Sequence, residues 1–589
     1  MSQDSNKPAA GKGHEFLDNF RHQLAHLDAL PQLTILGLVS GLAAALVIIA
    51  FRFLIDGPLT LVLDDHSENF ESLSPIWHFG LPVIGSLLLA ALVQSFKPEH
   101  RQVSVGHVIE RLNNHQGKLP FANWLLQFFG GVLALLSGQS MGREGPAVHL
   151  GAGIASQVGQ WLKLPNNSLR TLVGCGVASA IAASFNTPMA GVIFAMEVVL
   201  MEYTIAGFIP VMMASVTGAM LTQFVFGPEP AFSVAQLQIN TLNELPIILL
   251  AGVIIAFFAT TLIRTQLWFN GKQQWPLTLR FLLAGVTTGT LALFLPQIMG
   301  VGYDTIESAM HGQIGFSLLL AILFAKIAAT AVSTGLGLPG GIIGPMLFIG
   351  AALGGCIGQI AAVLLPETAA SPSFYVMLGM AAMMACVINA PMAALITVLE
   401  LTYNPHIIFP TMLIIVISVV STRQLFHCQG VFIAQLEANG FRLSGGPIRQ
   451  ALDRVGVRSV MDINFQDCRH KLPLYHLQKI LEQRPKWLIV EDKAGDKQLL
   501  LAADVSAFLE SREENEDNHA EEQEINLLKS PGRKWQIKPI SPQASLYEAQ
   551  TQLRQLKADA LYVERGFSSL LSPAIGIITQ EQIDNYYSS

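Results

Sequence analysis

The chain has 589 residues and a net charge of −7, yet only 13% of it is charged, 51% is hydrophobic, and its mean hydropathy is +0.45. Soluble domains are about a quarter charged, so most of this chain is excluded from that class; an acidic balance gathered toward the C-terminus gives no case for nucleic-acid binding either. From Phe316 to Leu401 the Asp, Glu, Lys and Arg residues are Lys326, Glu367 and Glu400 alone, which is the composition of a membrane protein.

Residues 1–30 carry acids and amides and lack the basic, then apolar, then small-residue order of a cleaved signal. They read as an N-terminal cytoplasmic segment, and the first apolar run, Leu33 to Leu54, reads as a retained membrane helix. Further apolar runs follow at 79–96, 124–137, 146–162, 171–201, 205–226, 246–268, 279–297, 316–333, 341–364, 373–402 and 406–422. A helix needs ~20 apolar residues to cross a bilayer. Several runs are shorter, or are interrupted by Gly and Pro. Irregular backbone survives at membrane depth only where protein buries it or a cavity hydrates it, and broken helices meeting there build ion and substrate sites.

An internal repeat sharpens this. Asn186-Thr187-Pro188-Met189-Ala190 leads to Glu197, and Asn389-Ala390-Pro391-Met392-Ala393 leads to Glu400 at the same spacing. Upstream, Gly145-Pro146 followed by Gly151 matches Gly344-Pro345 followed by Gly350, and Gly159-Gln160 matches Gly358-Gln359. Residues 31–426 are therefore predicted to form an all-α polytopic membrane domain with two inverted-topology repeats and broken helices, the halves covering about 31–226 and 245–426.

Residues 427–589 are soluble in composition. Residues 487–509 and 560–587 each read strand, turn, strand, helix, which predicts two small α+β modules at about 450–512 and 530–589. The acidic stretch at 511–524 reads as a solvated linker between them. Five scattered cysteines, Cys175, Cys356, Cys386, Cys428 and Cys468, give neither a disulfide framework nor metal-ligand spacing, so no metal and no catalytic centre is expected.

GREGP at 142–146 and GGIIGP at 340–345, together with the NTPMAG and NAPMAA segments, resemble the signature elements of the CLC family of chloride channels and proton/chloride antiporters over residues 33–440. The tail resembles the pair of CBS modules that many members carry. The resemblance implies a homodimer in the lipid bilayer of a plasma or bacterial inner membrane, with the tail in the cytoplasm. It further implies chloride as the bound substrate ion, protons as a coupled partner in the exchanger branch, and no other cofactor.

The chemistry has its own argument. A dehydrated anion needs positive potential without a trap, and helix N-termini supply it through free N–H groups and the dipole's positive end. Gly142, Gly145, Gly340 and Gly341 permit close backbone approach, and Pro146 and Pro345 suit a first helical turn. On that basis Gly142, Arg143, Gly145, Gly341, Ile342 and Ile343 are expected around the anion, with the glycines exposing their amides to it. Glu144 is expected to gate: its carboxylate takes the anion's place, and protonation releases it. The plainer reading is a Glu144–Arg143 ion pair at a membrane edge, although intramembrane ionisable groups are functional by default.

The resemblance also places a chloride-contacting serine at Ser104, within VSVGH, and the family's pore tyrosine on Phe432, where the hydroxyl is lost. The acid that relays protons in many exchangers is absent, because FAMEVV puts Val198 there, and this is a channel-like feature. Glu197 and Glu400, equivalent in the two halves, read as structural helix-end partners rather than conductors. His107 and His149 read as hydrogen-bonded structure, and the Met-rich run 377–385 as helix packing. In the tail, Thr579 lacks its acid because Gln582 stands there, and Asp504 lacks its hydroxyl because Leu501 stands there, so a structural role is favoured over adenine-nucleotide binding.

The function expected is small-anion transport through a glutamate-gated path, with channel and exchanger modes both open. The alternative is a transporter of bicarbonate, nitrate or an organic anion on the same scaffold, disfavoured for larger solutes by the lack of extra positive side chains near the repeats. An intramembrane hydrolase built on Ser104 and His107 finds no partner acid.

Overall fold

The computed structural model describes residues 29–63, 68–228, 232, 242–366, 369–441, 452, 455–491, 496–513, 524–564 and 574–588. The chain divides into two compact units, Met1–Leu162 with Leu169–Leu443, and Lys163–Ser168 with Ser444–Ser589.

The first unit is built of helices. Its first half holds α1 (Ala29–Val62), α2 (Pro75–Ser95), α3 (Ser104–Asn114), α4 (Phe121–Leu136), α5 (Glu144–Trp161), α6 (Asn166–Phe185), α7 (Pro188–Phe194) and α8 (Ile205–Phe226). The second holds α9 (Leu245–Asn270), α10 (Leu277–Phe294), α11 (Tyr303–Met310), α12 (Phe316–Gly335), α13 (Ile343–Leu364), α14 (Pro372–Ile388), α15 (Pro391–Thr402), α16 (Ile408–Val420) and α17 (Val431–Ala438). Among the described residues, 9 helices are long and apolar enough to cross a membrane. The protein is an integral multi-pass membrane protein with two inverted halves.

The repeat seen in sequence recurs in three dimensions, with α5 to α8 answered by α13 to α16. In each half the two central helices pack backbone to backbone through glycine: a Cβ on Gly151 would lie 2.3 Å from the Gly176 carbonyl oxygen, and one on Gly350 2.5 Å from that of Gly379. Hydrocarbon supplies no hydrophobic force between helices, so such close approach is what holds them. Outer helices keep large apolar side chains such as Phe224 (89% exposed) on their surfaces, as a lipid-facing helix requires.

The apolar runs 171–201 and 373–402 are each broken into two helices. Asn186 (φ 59) and Asn389 (φ 58) adopt the left-handed conformation and end α6 and α14. Asn tolerates that region, and the residue before each proline is pushed out of the helical one. The new helices α7 and α15 then start on Pro188 and Pro391. The membrane unit also extends past residue 426, because α17 buries Val431, Phe432 and Leu436 in its core.

The second unit carries one six-stranded sheet, ordered Phe465–Arg469, Trp487–Glu491, Lys497–Leu501, Trp535–Ile540, Ala560–Glu564 and Ala574–Thr579. Here β1 (Phe465–Arg469) runs parallel to β3 (Trp487–Glu491), which is antiparallel to β4 (Lys497–Leu501). The same arrangement recurs where β6 (Trp535–Ile540) runs parallel to β7 (Ala560–Glu564), which is antiparallel to β8 (Ala574–Thr579). β2 (Lys471–Pro473) pairs separately with β5 (Glu524–Asn526). A helix follows each repeated trio, Ala502–Glu513 and Gln580–Ser588. At the second, Thr579 N–H donates to Gln582 Oε1 at 2.8 Å, so this pair caps its own helix. Of the expected linker, residues 514–523 lie outside the described residues.

Candidate functional site

The two glycine-rich loops cross. Gly142 N–H donates to the Gly341 carbonyl at 2.8 Å, and Gly341 N–H returns a bond to the Gly142 carbonyl at 2.9 Å. This corrects the expectation that all the glycines expose amides: Gly142 and Gly341 spend theirs on each other, and Gly340 N–H is bound to the Leu338 carbonyl. Their small size serves the crossing instead, since a Cβ on Gly145 would lie 2.6 Å from Gly341 Cα. The crossing sets the start of α5, with Pro146 in its first turn, against the start of α13, with Pro345 in its first turn. In such first turns the N–H groups of Gly145, Ile342 and Ile343 have no intrahelical acceptor.

Glu144, fully buried, fills the space beside that crossing. Its Oε2 accepts from Gly344 N–H at 3.1 Å, and its Oε1 from the Tyr303 hydroxyl at 2.6 Å. The carboxylate is an anion on a helix N-terminal amide. Arg143 stands back, 4.0 Å from Glu144 Oε1 and 4.0 Å from Asp56 Oδ1, with its guanidinium 5.4 Å from the centre of the Tyr303 ring. A tight Glu144–Arg143 pair is therefore not what holds the carboxylate.

Tyr303 is itself braced. It opens α11, its N–H donates to Glu68 Oε2 at 2.8 Å, and its ring packs on Phe185 and Phe232. The fully buried Lys326 donates to the carbonyls of Ile298 (2.9 Å), Gly300 (2.9 Å) and Val301 (3.3 Å), fixing the loop that leads into Tyr303. Glu68 lies in the loop after α1. Loss of water around it pushes its carboxyl up to about 7, with the Arg143 charge and the Tyr303 N–H pulling part of the way back.

A cavity of about 540 Å³ opens against the other side of the crossing. Ser104, Gly145, Gly341, Ile342, Ile343 and Phe432 line it, so six positions drawn from distant parts of the chain converge on one space. Ser104 sits at φ 84 at the start of α3, held there by its N–H donating to Gln127 Oε1 at 2.8 Å, which points the residue into the cavity wall. Gly142, Arg143 and Glu144 are not among its lining residues. His107 lines it too, and His107 Nδ1 lies 2.9 Å from Nε2 of the fully buried His149.

The repeat acids stand elsewhere and mirror each other. Glu400 accepts from Met189 N–H (2.9 Å) and Ala190 N–H (2.7 Å) at the start of α7. Glu197 accepts from Met392 N–H (3.3 Å) and Ala393 N–H (2.7 Å) at the start of α15. Each half thus caps the other's broken helix. Asn186 and Asn389 mirror too, their side-chain oxygens accepting from Gln223 (2.9 Å) and Arg423 (2.8 Å). Val198 is buried in a π-helical turn and bears no polar atom.

Reading the residues in sequence missed Tyr303, Lys326, Glu68, Arg101 and Arg280. The last two line the cavity and overturn the expectation that no extra positive side chain lies near the repeats. Lys326, alone in a long uncharged stretch, was a signal that could have been followed. A tyrosine in VGYDT carries none.

The family model described as voltage gated chloride channel matches residues 85–423. The H(+)/Cl(-) exchange transporter ClcA of Vibrio cholerae is 28% identical over 392 residues, covering 64% of this chain and 83% of that protein. A slow cyanobacterial Cl−/H+ antiporter shares the fold with a TM-score of 0.60 at 21% identity, over 70% of this chain and 98% of its own. A eukaryotic CLC transporter does so with a TM-score of 0.57 at 18% identity, over 96% of this chain and 98% of its own.

Proposed function

The chain belongs to the voltage gated chloride channel (CLC) family, and from that premise we propose that it moves chloride across the membrane in exchange for protons, with Glu144 as the gate. The observation that carries this reading is the Glu144 carboxylate on the Gly344 amide at 3.1 Å. That amide belongs to a helix N-terminus built to receive an anion. A carboxylate and a halide compete for one place there, and protonation removes the carboxylate's claim. A single residue then alternates between blocking the anion and carrying the proton.

Chloride reaches this point from the cavity, where Ser104 and the first-turn amides of Ile342 and Ile343 replace part of its water. No cationic side chain contacts Glu144 closely, so the ion is favoured without being trapped. Phe432 borders the path without a hydroxyl, which makes that wall apolar. The relatives named as proton exchangers support the coupled mode. Nitrate and bicarbonate are anions the same amides would accept. The protein is read as a homodimer of the bacterial inner membrane, with the repeated α+β tail, read as a CBS pair, in the cytoplasm.

Passive conduction is the second reading, and Val198 favours it, since a buried valine cannot hand on a proton. Purified protein in vesicles with a proton gradient and equal chloride on both sides decides between them. Uphill chloride accumulation is expected. Flux that follows only the chloride gradient removes the exchange reading.

A further inference from the structure

Val198 bears no group that can hand on a proton, yet exchange requires protons to travel between the cavity and Glu144. Two histidines stand between those places in the fold. His107, in the first turn of α3, lines the cavity and is 7% exposed. His149, on α5, is fully buried. Their ring centres are 5.1 Å apart, and His107 Nδ1 lies 2.9 Å from His149 Nε2. The helix that carries His149 starts on Glu144, five residues earlier, which is about 7.5 Å along the axis. Besides α5, α3 packs on the π-helical turn that holds Val198.

A bond between two imidazole nitrogens needs one to donate and the other to accept. The outer nitrogens are then fixed as well: one ring keeps a bare nitrogen there and the other an N–H. The outer nitrogen of His149, Nδ1, is buried and has no hydrogen-bond partner among the described residues. A polar atom left so in an interior calls for an explanation. A histidine kept for structure alone would spend both its nitrogens.

The other ionisable groups on the elements around the pair have partners or stand apart. On α3, Glu110 lies 3.1 Å from the His115 ring, and Arg111 donates to the Lys118 carbonyl at 2.9 Å. Arg111 and His115 bear on His107 through their charge. On α6, Arg170 donates to the Leu112 carbonyl at 2.6 Å, and Cys175 is a buried thiol. Arg52 and Asp56 of α1 form an ion pair, with Arg143 4.0 Å from Asp56. Glu197 holds the amides of α15, and Glu437 of α17 is exposed. Among these helices, α4 carries no ionisable residue and α13 only the buried thiol Cys356.

We propose that His107 and His149 form a two-ring proton relay, which takes protons from the cavity and passes them along α5 toward Glu144, in place of the acid that Val198 lacks. The relay rests on the exchange reading above and deepens it by naming the proton's path. In one transfer, a hydronium in the cavity gives its proton to His107 Nε2 and becomes water. The Nδ1 proton of His107 crosses to His149 Nε2, and the Nδ1 proton of His149 leaves through water toward Glu144. Each ring gains one N–H and loses one, so both end uncharged, and a turn of the rings restores the first arrangement.

The test is the number of protons carried per chloride in vesicles under a chloride gradient, for the full chain and for His107→Gln, His149→Gln and His107→Glu. Glutamine keeps a hydrogen-bonding group but cannot take up and release a proton. Each glutamine variant should lower the ratio about tenfold or more, while chloride still moves because Glu144 is untouched. His107→Glu keeps a group that carries protons, so it should hold the ratio within about threefold of native. A loss in His107→Glu as deep as in His107→Gln marks a structural histidine and overturns the relay. A native ratio in both glutamine variants overturns the relay alone, whereas a native chain that carries no protons overturns the exchange reading and the relay with it. The native chain also gives a readout that needs no variant to fold. With nitrogen-15 in its histidines, its magnetic resonance spectra should show a scalar coupling between ring nitrogens of two different residues, and the absence of that coupling overturns the relay.

Discussion

The Tyr303 hydroxyl donates to Glu144 Oε1 at 2.6 Å while Gly344 N–H donates to Oε2, so the gate carboxylate is held from two elements at once. A hydrogen bond to a charged group is worth about 1.5–3 kcal/mol. Removing it with Tyr303→Phe should shift the balance between seated and released carboxylate toward release by about tenfold or more. The ring contacts with Phe185 and Phe232 remain, so the loss of stability should not exceed that bond's worth. Faster chloride efflux at neutral pH with a melting temperature lowered by no more than a small shift is the expected pair of results. Equal efflux would mean the hydroxyl does not restrain the gate.

Glu144→Gln imitates the protonated side chain permanently. An amide has no charge to compete with chloride for the Gly344 N–H, and no proton to exchange. Chloride flux should persist and lose the part of its pH dependence that the gate supplies, while proton uptake driven by a chloride gradient should vanish. Both are read from the same vesicles with a chloride electrode and a pH electrode. Retained proton uptake would move the coupling to another group.

Glu68 predicts a titration near neutrality. Its folded carboxyl is pushed from the ordinary 4.5 up to about 7, first by burial, with Arg143 pulling it down and Asp304 and Asp56 adding to the rise. The folded state therefore holds a proton that the unfolded state has lost between those values. The stability this contributes is full below about 4.5 and is lost as pH rises through about 7. Relative to Glu68→Gln, the native protein should lose melting temperature across that window. The charge that forms also repels anions near Tyr303, so flux should fall with it. A flux profile with the same inflection near 7 in Glu68→Gln would show that another group titrates there.

What could be read in advance followed from which interactions are local. The broken helices announced themselves through Asn-X-Pro and Gly-Pro pairs, because backbone preference acts over a few residues. The repeat aligned the glycines that meet at the crossing. Contacts formed only by folding left no trace: Tyr303 is 159 residues from Glu144, and the Arg101–Arg280 cavity joins loops from both halves. The glycine amides show the same limit. Sequence indicates where backbone can come close, but the partner it meets, whether ion or another glycine, is decided by the tertiary fold.

Glu197 and Glu400 allow the sharpest separation of structure from conduction. Each carboxylate takes two first-turn amides of the opposite half's broken helix, at 2.7 Å for the shorter bond in both cases. Helix-end charges contribute about 0.3–1 kcal/mol, and a lost cap about 0.5–2 kcal/mol. Glu197→Gln keeps an acceptor and loses the charge, so it should lower stability by under about 1 kcal/mol, whereas Glu197→Ala, which leaves the Met392 and Ala393 amides without their acceptor, should cost more, up to about 2 kcal/mol. The mirrored changes at Glu400 should match within about twofold, because the geometry is mirrored. Melting curves in detergent measure all four, and vesicle flux per folded protein should stay near the native level. If Glu197→Gln left the melting curve alone and abolished proton movement, Glu197 would be carrying protons, and the symmetry between the two acids would be one of position only.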